Sequence, residues 1–340
     1  MRVALVNDLR MAIEALRRVV LSMPNAEIAW IAEDGKQAVR QCREDPPDVI
    51  LMDMIMPVMD GVQATRQIME QCPCPILVTT ASVQGNVDKV FEALGCGAVD
   101  AVNTPVLGTG GSLEGADELI RKINCVVRLN NQSAFDDATD QVPSGRLVTS
   151  DDHLPPLVAI GASTGGPEAI RRVLTDLTSP LLYTIVVVQH LEELFVPGFA
   201  SWLGKETGLD VQLIVPGRRP TRRVVYLAHT TDHVVLDRAG MFRHVREPES
   251  CIHRPSVDVF FASLLSAPIA SGTAVLLTGM GSDGARSLKS LRDAGWDTIV
   301  QDQATSVVWG MPRAAVRLGA ARRVLPIDEI GAAIQRSVRK

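Results

Sequence analysis

Ser163 stands in Gly161-Ala162-Ser163-Thr164-Gly165, a G-x-S-x-G spacing, and Pro167 follows it by four residues. Small neighbours let a sharp turn expose a serine hydroxyl at a helix N-terminus. Such a turn could instead cradle a phosphate on its backbone N–H groups. The spacing is neither G-x-G-x-x-G nor that of a P-loop, and no lysine follows. A purely structural turn needs the glycines but not the serine. A serine nucleophile needs a base, and the base needs an orienting acid. His190 follows the apolar run Thr184–Val188 after one residue, and Asp283 lies in a glycine-rich turn after the apolar run Ala274–Leu277. Singly, His190 reads as a strand-end histidine and Asp283 as a helix cap. Three such residues, each after a buried-type strand, point to a Ser-His-Asp triad, with the N–H groups of Thr164 and Met280 as oxyanion donors. The order Ser, His, Asp differs from that of common α/β-hydrolases and argues for a different hydrolase fold. His153, His229, His233, His244 and His253 form no metal-like constellation and read as structural or surface residues.

A second group lies in the first half. Asp8 follows the apolar run Arg2–Val6, Asp53 follows Val49–Met52, and Thr80 follows Ile76–Thr79. Carboxylates meeting at neighbouring strand ends repel, which favours a divalent cation with hard oxygen ligands such as Mg²⁺. Asp8, Asp53 and the carbonyl of Ile55 are the expected ligands. Asp53 then becomes a plausible phosphoryl acceptor, with Thr80 hydrogen-bonding a phosphoryl oxygen. Each acid alone reads as a cap; together, with "MIMPVMDG" after the second run, they favour a phosphoacceptor site.

Strands and helices must position these groups. Short apolar runs at 2–6, 27–32, 49–52, 76–79 and 98–102 alternate with helical periodicity, the pattern of a five-stranded, doubly wound parallel sheet. In such α/β sheets functional groups sit past the C-terminal strand ends. Residues 113–129 read as a helix. The polar stretch 131–153 holds five aspartates and no sustained apolar period, so it reads as a linker. The expected domains are 1–130 and 154–340, the second an α/β, Rossmann-like domain with a mostly parallel sheet.

The 340 residues, 46% of them hydrophobic, suit about two domains with full cores. A formal charge of −5 and no basic block argue against nucleic acid. There is no helix-turn-helix candidate with a basic face in 154–340. The charged start, Met1–Leu16, is not a signal peptide. The uncharged span Val259–Ser282 contains Pro268 and Gly272 and reads as a helix end, a loop and a buried strand rather than a membrane helix. The six scattered cysteines suggest free, mostly buried thiols in a reducing, cytoplasmic setting. Cys72-Pro73-Cys74 lacks a second pair with zinc-like spacing.

Residues 1 to about 125 resemble response-regulator receiver domains, with "LMDMIMPVMDG" the most specific segment. That resemblance implies phosphotransfer from a histidine kinase to Asp53, Asp8 on the metal and Thr80 as the switch hydroxyl. Two positions depart from the pattern: Asn7 stands where an acid is usual, and Thr104 where a lysine is usual. Residues 154–340 resemble the catalytic domain of CheB-type protein-glutamate methylesterases, through "VAIGASTGGPEAI", "VVVQH", "HRPSVDVFF", "LLTGMGSDGA" and "QDQATSVVWGMPRAA". The resemblance implies Ser163 as nucleophile, His190 as general base and acid, and Asp283 as its orienter. It also implies hydrolysis of glutamate methyl esters on cytoplasmic helices of methyl-accepting chemoreceptors, releasing methanol without a cofactor; some members deamidate receptor glutamines. The acidic, bulky residues after His190, with Asn7 and Thr104, look most like the Wsp-type branch. The fusion suggests a receiver that covers the cleft until Asp53 is phosphorylated. The rival expectation is a scaffold that docks on receptor and kinase with little turnover.

Overall fold

Long runs with every side chain buried dictate the architecture. Val49–Asp53 and Ile76–Thr80 are buried at every position, as strands covered on both faces must be. The structure, a computed structural model, describes residues 1–80, 83–107, 113–128, 154–177, 181–251, 253–269 and 272–338. The stretch read as a linker, 131–153, with His153, lies outside the described residues. The chain divides into two units, Met1–Ala134 and Phe135–Lys340. Among the described residues no helix is long and apolar enough to cross a membrane.

The first unit runs β1 (Arg2–Val6), α1 (Arg10–Ser22), β2 (Glu27–Ala32), α2 (Gly35–Glu44), β3 (Val49–Asp53), α3 (Gly61–Gln71), β4 (Ile76–Thr80), α4 (Val83–Gly95), β5 (Asp100–Asn103), β6 (Val106–Leu107), β7 (Leu113–Glu114) and α5 (Ala116–Arg128). The strands β2-β1-β3-β4-β5 form one sheet whose pairs are all parallel. α1 buries Ala12, Ala15, Leu16, Val19 and Val20 on one face, while Leu9 stands at the N-cap and is exposed. Asp60 accepts from the Gln63 N–H and caps α3, so the second acid of "LMDMIMPVMDG" starts a helix. One expectation is corrected: the helix begins at Ala116, not Leu113. Leu113–Glu114 pair with Val106–Leu107 in an antiparallel hairpin, and Gly115 at φ 83 stops α5 from reaching back to them.

The second unit runs β8 (Leu157–Ala162), α6 (Gly166–Thr175), β9 (Thr184–Gln189), a 3₁₀ turn (Glu193–Phe195), α7 (Val196–Thr207), β10 (Asp210–Leu213) and β11 (Val224–Leu227). It continues with β12 (His233–Leu236), β13 (Phe242–Val245), α8 (Val257–Leu264), β14 (Gly272–Leu276), α9 (Ala285–Asp293), β15 (Asp297–Gln301), α10 (Met311–Arg317), β16 (Arg323–Leu325) and α11 (Ile327–Val338). Seven strands in the order β10-β11-β9-β8-β14-β15-β16 make a second sheet, again with every pair parallel. β12 and β13 form a separate antiparallel hairpin. The sheet grows outward from β8 in both directions, so the crevice past the C-terminal ends of β8 and β14 is the topological switch point. Val186, Val188, Phe260, Phe261, Leu276 and Leu288 lie in the core cluster that holds β9, β14, α8 and α9 together.

Candidate active site

Ser163 is the first residue past β8, and His190 the first past β9. Ala162 pairs with Gln189 in register, so Ser163 and His190 are next neighbours across two strands about 4.8 Å apart. The His190 N–H donates to Ala162 O at 3.0 Å, and the Ser163 N–H to Thr278 O at 3.0 Å. After Ser163 the chain must turn into α6 within a few residues. Gly165 makes that turn at φ 75, a left-handed conformation that glycine adopts without strain.

Asp283 sits in the turn between β14 and α9, and its Oδ2 lies 2.8 Å from His190 Nε2. The carboxylate is otherwise engaged by the start of α8. Oδ1 accepts from Ser256 Oγ at 2.8 Å and the Asp258 N–H at 3.0 Å, and Oδ2 accepts from the Val257 N–H at 2.7 Å. Anions are stabilised at a helix N-terminus. Burial alone would raise this carboxyl's pKa; the His190 bond, the imidazole charge and the α8 donors outweigh it and hold Asp283 well below the usual carboxylate range. An ionised Asp283 accepts a hydrogen bond from Nε2–H, which leaves Nδ1 as the ring's basic nitrogen. That Nδ1 is buried and has no hydrogen-bond partner among the described residues.

The structure therefore joins His190 to Asp283 directly and sets Ser163 beside them. No hydrogen bond links the Ser163 hydroxyl to another described residue, so the file expected from the sequence is closed on the carboxylate side only. Of the expected oxyanion donors, Thr164 is buried, and its carbonyl accepts from Thr278 Oγ1 at 2.9 Å. Gly279 O accepts from the N–H groups of Gly310 and Met311, and the Met280 N–H makes no hydrogen bond among the described residues.

His253, read from the sequence as a structural or surface residue, lies against His190. Its ring stacks on that of His190, centroids 4.2 Å apart and 17° from parallel. His233 also belongs to the surroundings of the site. It is fully buried, its Nδ1 accepts from the Ser256 N–H at 3.2 Å, and its Nε2 lies 3.2 Å from Pro248 O. Asp258 accepts from the Ser287 N–H, and burial together with the charge of Asp283 pushes its pKa up to about 6. The available sequence signal was the cap: Ser256 accepts from the Val259 N–H, which places His253 just ahead of a helix start. Local spacing does not reveal that this helix start faces Asp283.

In the first unit, Asp53 ends β3 with 8% exposure, and its Oδ1 accepts from the Met54 N–H at 2.8 Å. Burial pushes its pKa up to about 6, and the nearby charge of Asp8 adds to the rise. Asp8 is exposed two residues past β1, and Val6 pairs with Met52 just before Asp53. Asn7 is buried, and its Oδ1 accepts from the Leu9 N–H. Ile55 is exposed, Thr80 ends β4 buried, and Thr80 O accepts from the Thr104 N–H at 2.9 Å. The Thr104 hydroxyl is buried without a partner among the described residues. Among the described residues no three His, Cys, Asp or Glu side chains gather as a metal site.

A doubly wound sheet with acids at its strand ends defines a receiver domain, and the parallel sheet that follows, with a histidine–carboxylate pair beside a serine at its switch point, defines a Rossmann-like esterase domain outside the common α/β-hydrolase order. The CheB methylesterase model matches residues 158–334, and the response regulator receiver domain model matches residues 3–108. The chain belongs to the CheB methylesterase family. It is 46% identical over 332 residues to protein-glutamate methylesterase/protein-glutamine glutaminase 1 of Pseudomonas fluorescens, covering 97% of each chain. It is 44% identical over 330 residues to the corresponding protein 3 of Pseudomonas aeruginosa, again covering 97% of each chain. The crystal structure of the Thermotoga maritima CheB methylesterase catalytic domain superposes with a TM-score of 0.51 and 30% identity, covering 54% of this chain and 98% of that one.

Proposed function

We propose that Ser163, His190 and Asp283 hydrolyse glutamate methyl esters on cytoplasmic helices of methyl-accepting chemoreceptors. Rotation of the Ser163 side chain toward Nδ1 joins an unpaired donor to an unpaired acceptor. His190 Nδ1 takes the hydroxyl proton as Oγ attacks the ester carbonyl, and Asp283 stabilises the imidazolium through Nε2. The N–H groups of Thr164 and Met280 receive the oxyanion. The imidazolium returns its proton to the departing methoxy group, giving methanol and an acyl-enzyme. Water, deprotonated by the same nitrogen, then releases the glutamate carboxylate and restores the serine. Ammonia in place of methanol gives the glutamine deamidation named for the relatives.

The observation that carries this reading is the 2.8 Å contact of His190 with Asp283 beside Ser163 at adjacent strand ends. The test incubates methyl-labelled receptor membranes with the wild-type chain and with Ser163→Ala. The wild type releases labelled methanol and the variant does not; equal release by both would refute the proposal.

The same proposal assigns Asp53 as acceptor of a phosphoryl group from a histidine kinase, with Thr80 as the switch hydroxyl. The donors fit Mg²⁺: burial and the charge of Asp8 raise the cost of ionising Asp53, and a divalent cation offsets that cost. Asp8, Asp53 and the Ile55 carbonyl would hold the ion, which when bound neutralises charge on the transferring phosphoryl group. Thr104 brings a hydroxyl but no cation to this pocket. That departure, with Asn7 and the acidic segment after His190, supports placement in the Wsp-type branch.

A further inference from the structure

Gln189 carries a network that the mechanism above does not use. It ends β9 with 5% exposure, and its Nε2 donates to Ser163 O at 2.8 Å and to His190 O at 2.9 Å. One amide thus ties the main chain of the serine to that of the histidine. Two carbonyl acceptors also fix which end of the amide faces them, because a flipped Oε1 would meet both oxygens. Oε1 is left buried with no partner among the described residues. It occupies the place of a side chain on Gly166, where a Cβ would lie 1.9 Å from it. A buried acceptor without a partner is costly and calls for an explanation.

The geometry of the nucleophile turn supplies one. A trans peptide directs its C=O and N–H in opposite directions. Ser163 O is held by Gln189 Nε2 and by the Gly166 N–H at 2.8 Å. The Thr164 N–H, in the same peptide unit, is therefore aimed the other way. The flanking peptides are pinned as well, through Ser163 N to Thr278 O and Thr278 Oγ1 to Thr164 O. We propose that Gln189 is a positioning residue for the oxyanion site, fixing the Ser163–Thr164 peptide plane and its distance from His190. This rests on the reading of Ser163 as nucleophile and Thr164 as oxyanion donor.

The full chain is assayed on methyl-labelled receptor membranes as wild type, Gln189→Met, Gln189→Glu, Gly166→Ala and Ser163→Ala, with an alkyl boronic acid as tetrahedral probe. Methionine keeps the length and removes the donors. Alanine at 166 displaces the amide from the opposite side, its Cβ also falling 2.9 Å from Ala162 Cβ, so it tests the idea, read together with its folded fraction, if the substitutions at 189 prevent folding. Removing one oxyanion donor typically lowers kcat about 10²–10³-fold. A misdirected donor is expected to cost at least about tenfold in kcat, with KM changed less than about twofold. The boronic-acid inhibition constant should rise by the factor by which kcat/KM falls. Folded Gln189→Met or Gly166→Ala with wild-type kcat would overturn the proposal, as would a loss of kcat that merely tracks the unfolded fraction with boronic-acid inhibition unchanged. Retained activity in Ser163→Ala would instead remove the reading beneath it.

Discussion

Nε2 of His190 lies 2.8 Å from Oδ2 of Asp283, which leaves Nδ1 as the only lone pair on the ring. The carboxylate that imposes this also receives Ser256 Oγ and the Val257 and Asp258 N–H groups, so its four bonds are divided two to each oxygen. Asp283→Asn must turn its NH₂ toward one of these pairs of donors, whichever way the amide is flipped. We expect kcat to fall about 10³–10⁴-fold, as when a triad acid becomes an amide. Stability should fall by about 1–3 kcal/mol from the unmatched donors. Methanol release and urea unfolding of the full chain measure the two effects.

The stack of His253 on His190 restricts how far the His190 ring can tilt. A flat ring should preserve that restraint without the ring nitrogens. His253→Phe is expected to keep kcat within about fivefold, whereas His253→Ala lowers it about tenfold, in line with the sensitivity of catalysis to misplacement. Steady-state kinetics on both variants decide this; equal losses would show that the nitrogens matter and the stack does not.

Thr278 is fully buried between two loops of the site, giving its hydroxyl proton to Thr164 O and accepting from the Val308 N–H at 2.8 Å. Thr278→Val preserves the shape and removes both bonds. It should destabilise the second unit by about 1–3 kcal/mol, and Thr278→Ser should recover most of that. Denaturant titration of the two variants against wild type gives the comparison.

The pKa of Asp53, raised to about 6 by burial and then by Asp8, makes a pH prediction with a definite sign. Its ordinary value is about 4, so between pH 4 and 6 the folded state holds a proton that the unfolded chain has lost. The stability linked to this group is present below about pH 4 and is lost as pH rises through about 6. Asp53→Asn should therefore stabilise the first unit at pH 7 by about 2 kcal/mol and flatten its pH dependence. Mg²⁺ should raise the wild-type melting temperature at pH 7 and have little effect on the variant. Thermal melts from pH 4 to 8, with and without Mg²⁺, test both statements.

Much of this arrangement is legible in the sequence because buried parallel strands are continuous apolar runs. Leu157–Ala162, Thr184–Gln189 and Gly272–Leu276 are such runs, so the locations of Ser163 and His190 just past the first two, and of Asp283 in the turn after the third, are read directly. Leu113 satisfies helical periodicity, which extends α5 to it in the sequence, while its pairing with Leu107 depends on a hairpin. Which nitrogen of His190 meets Asp283, and the stacking of His253, depend on the start of α8 approaching the turn after β14. That approach is set by tertiary packing among Val257, Phe260, Leu276 and Ala285, and no local spacing encodes it.

The most direct measurement is mass spectrometry of the full chain after reaction with a slowly turned-over activated ester, quenched in acid and mapped to peptides. The account predicts an acyl group on Oγ of Ser163, absent from Ser163→Ala and formed far more slowly in His190→Ala. An acyl group on another residue, or undiminished ester hydrolysis in Ser163→Ala, would contradict it.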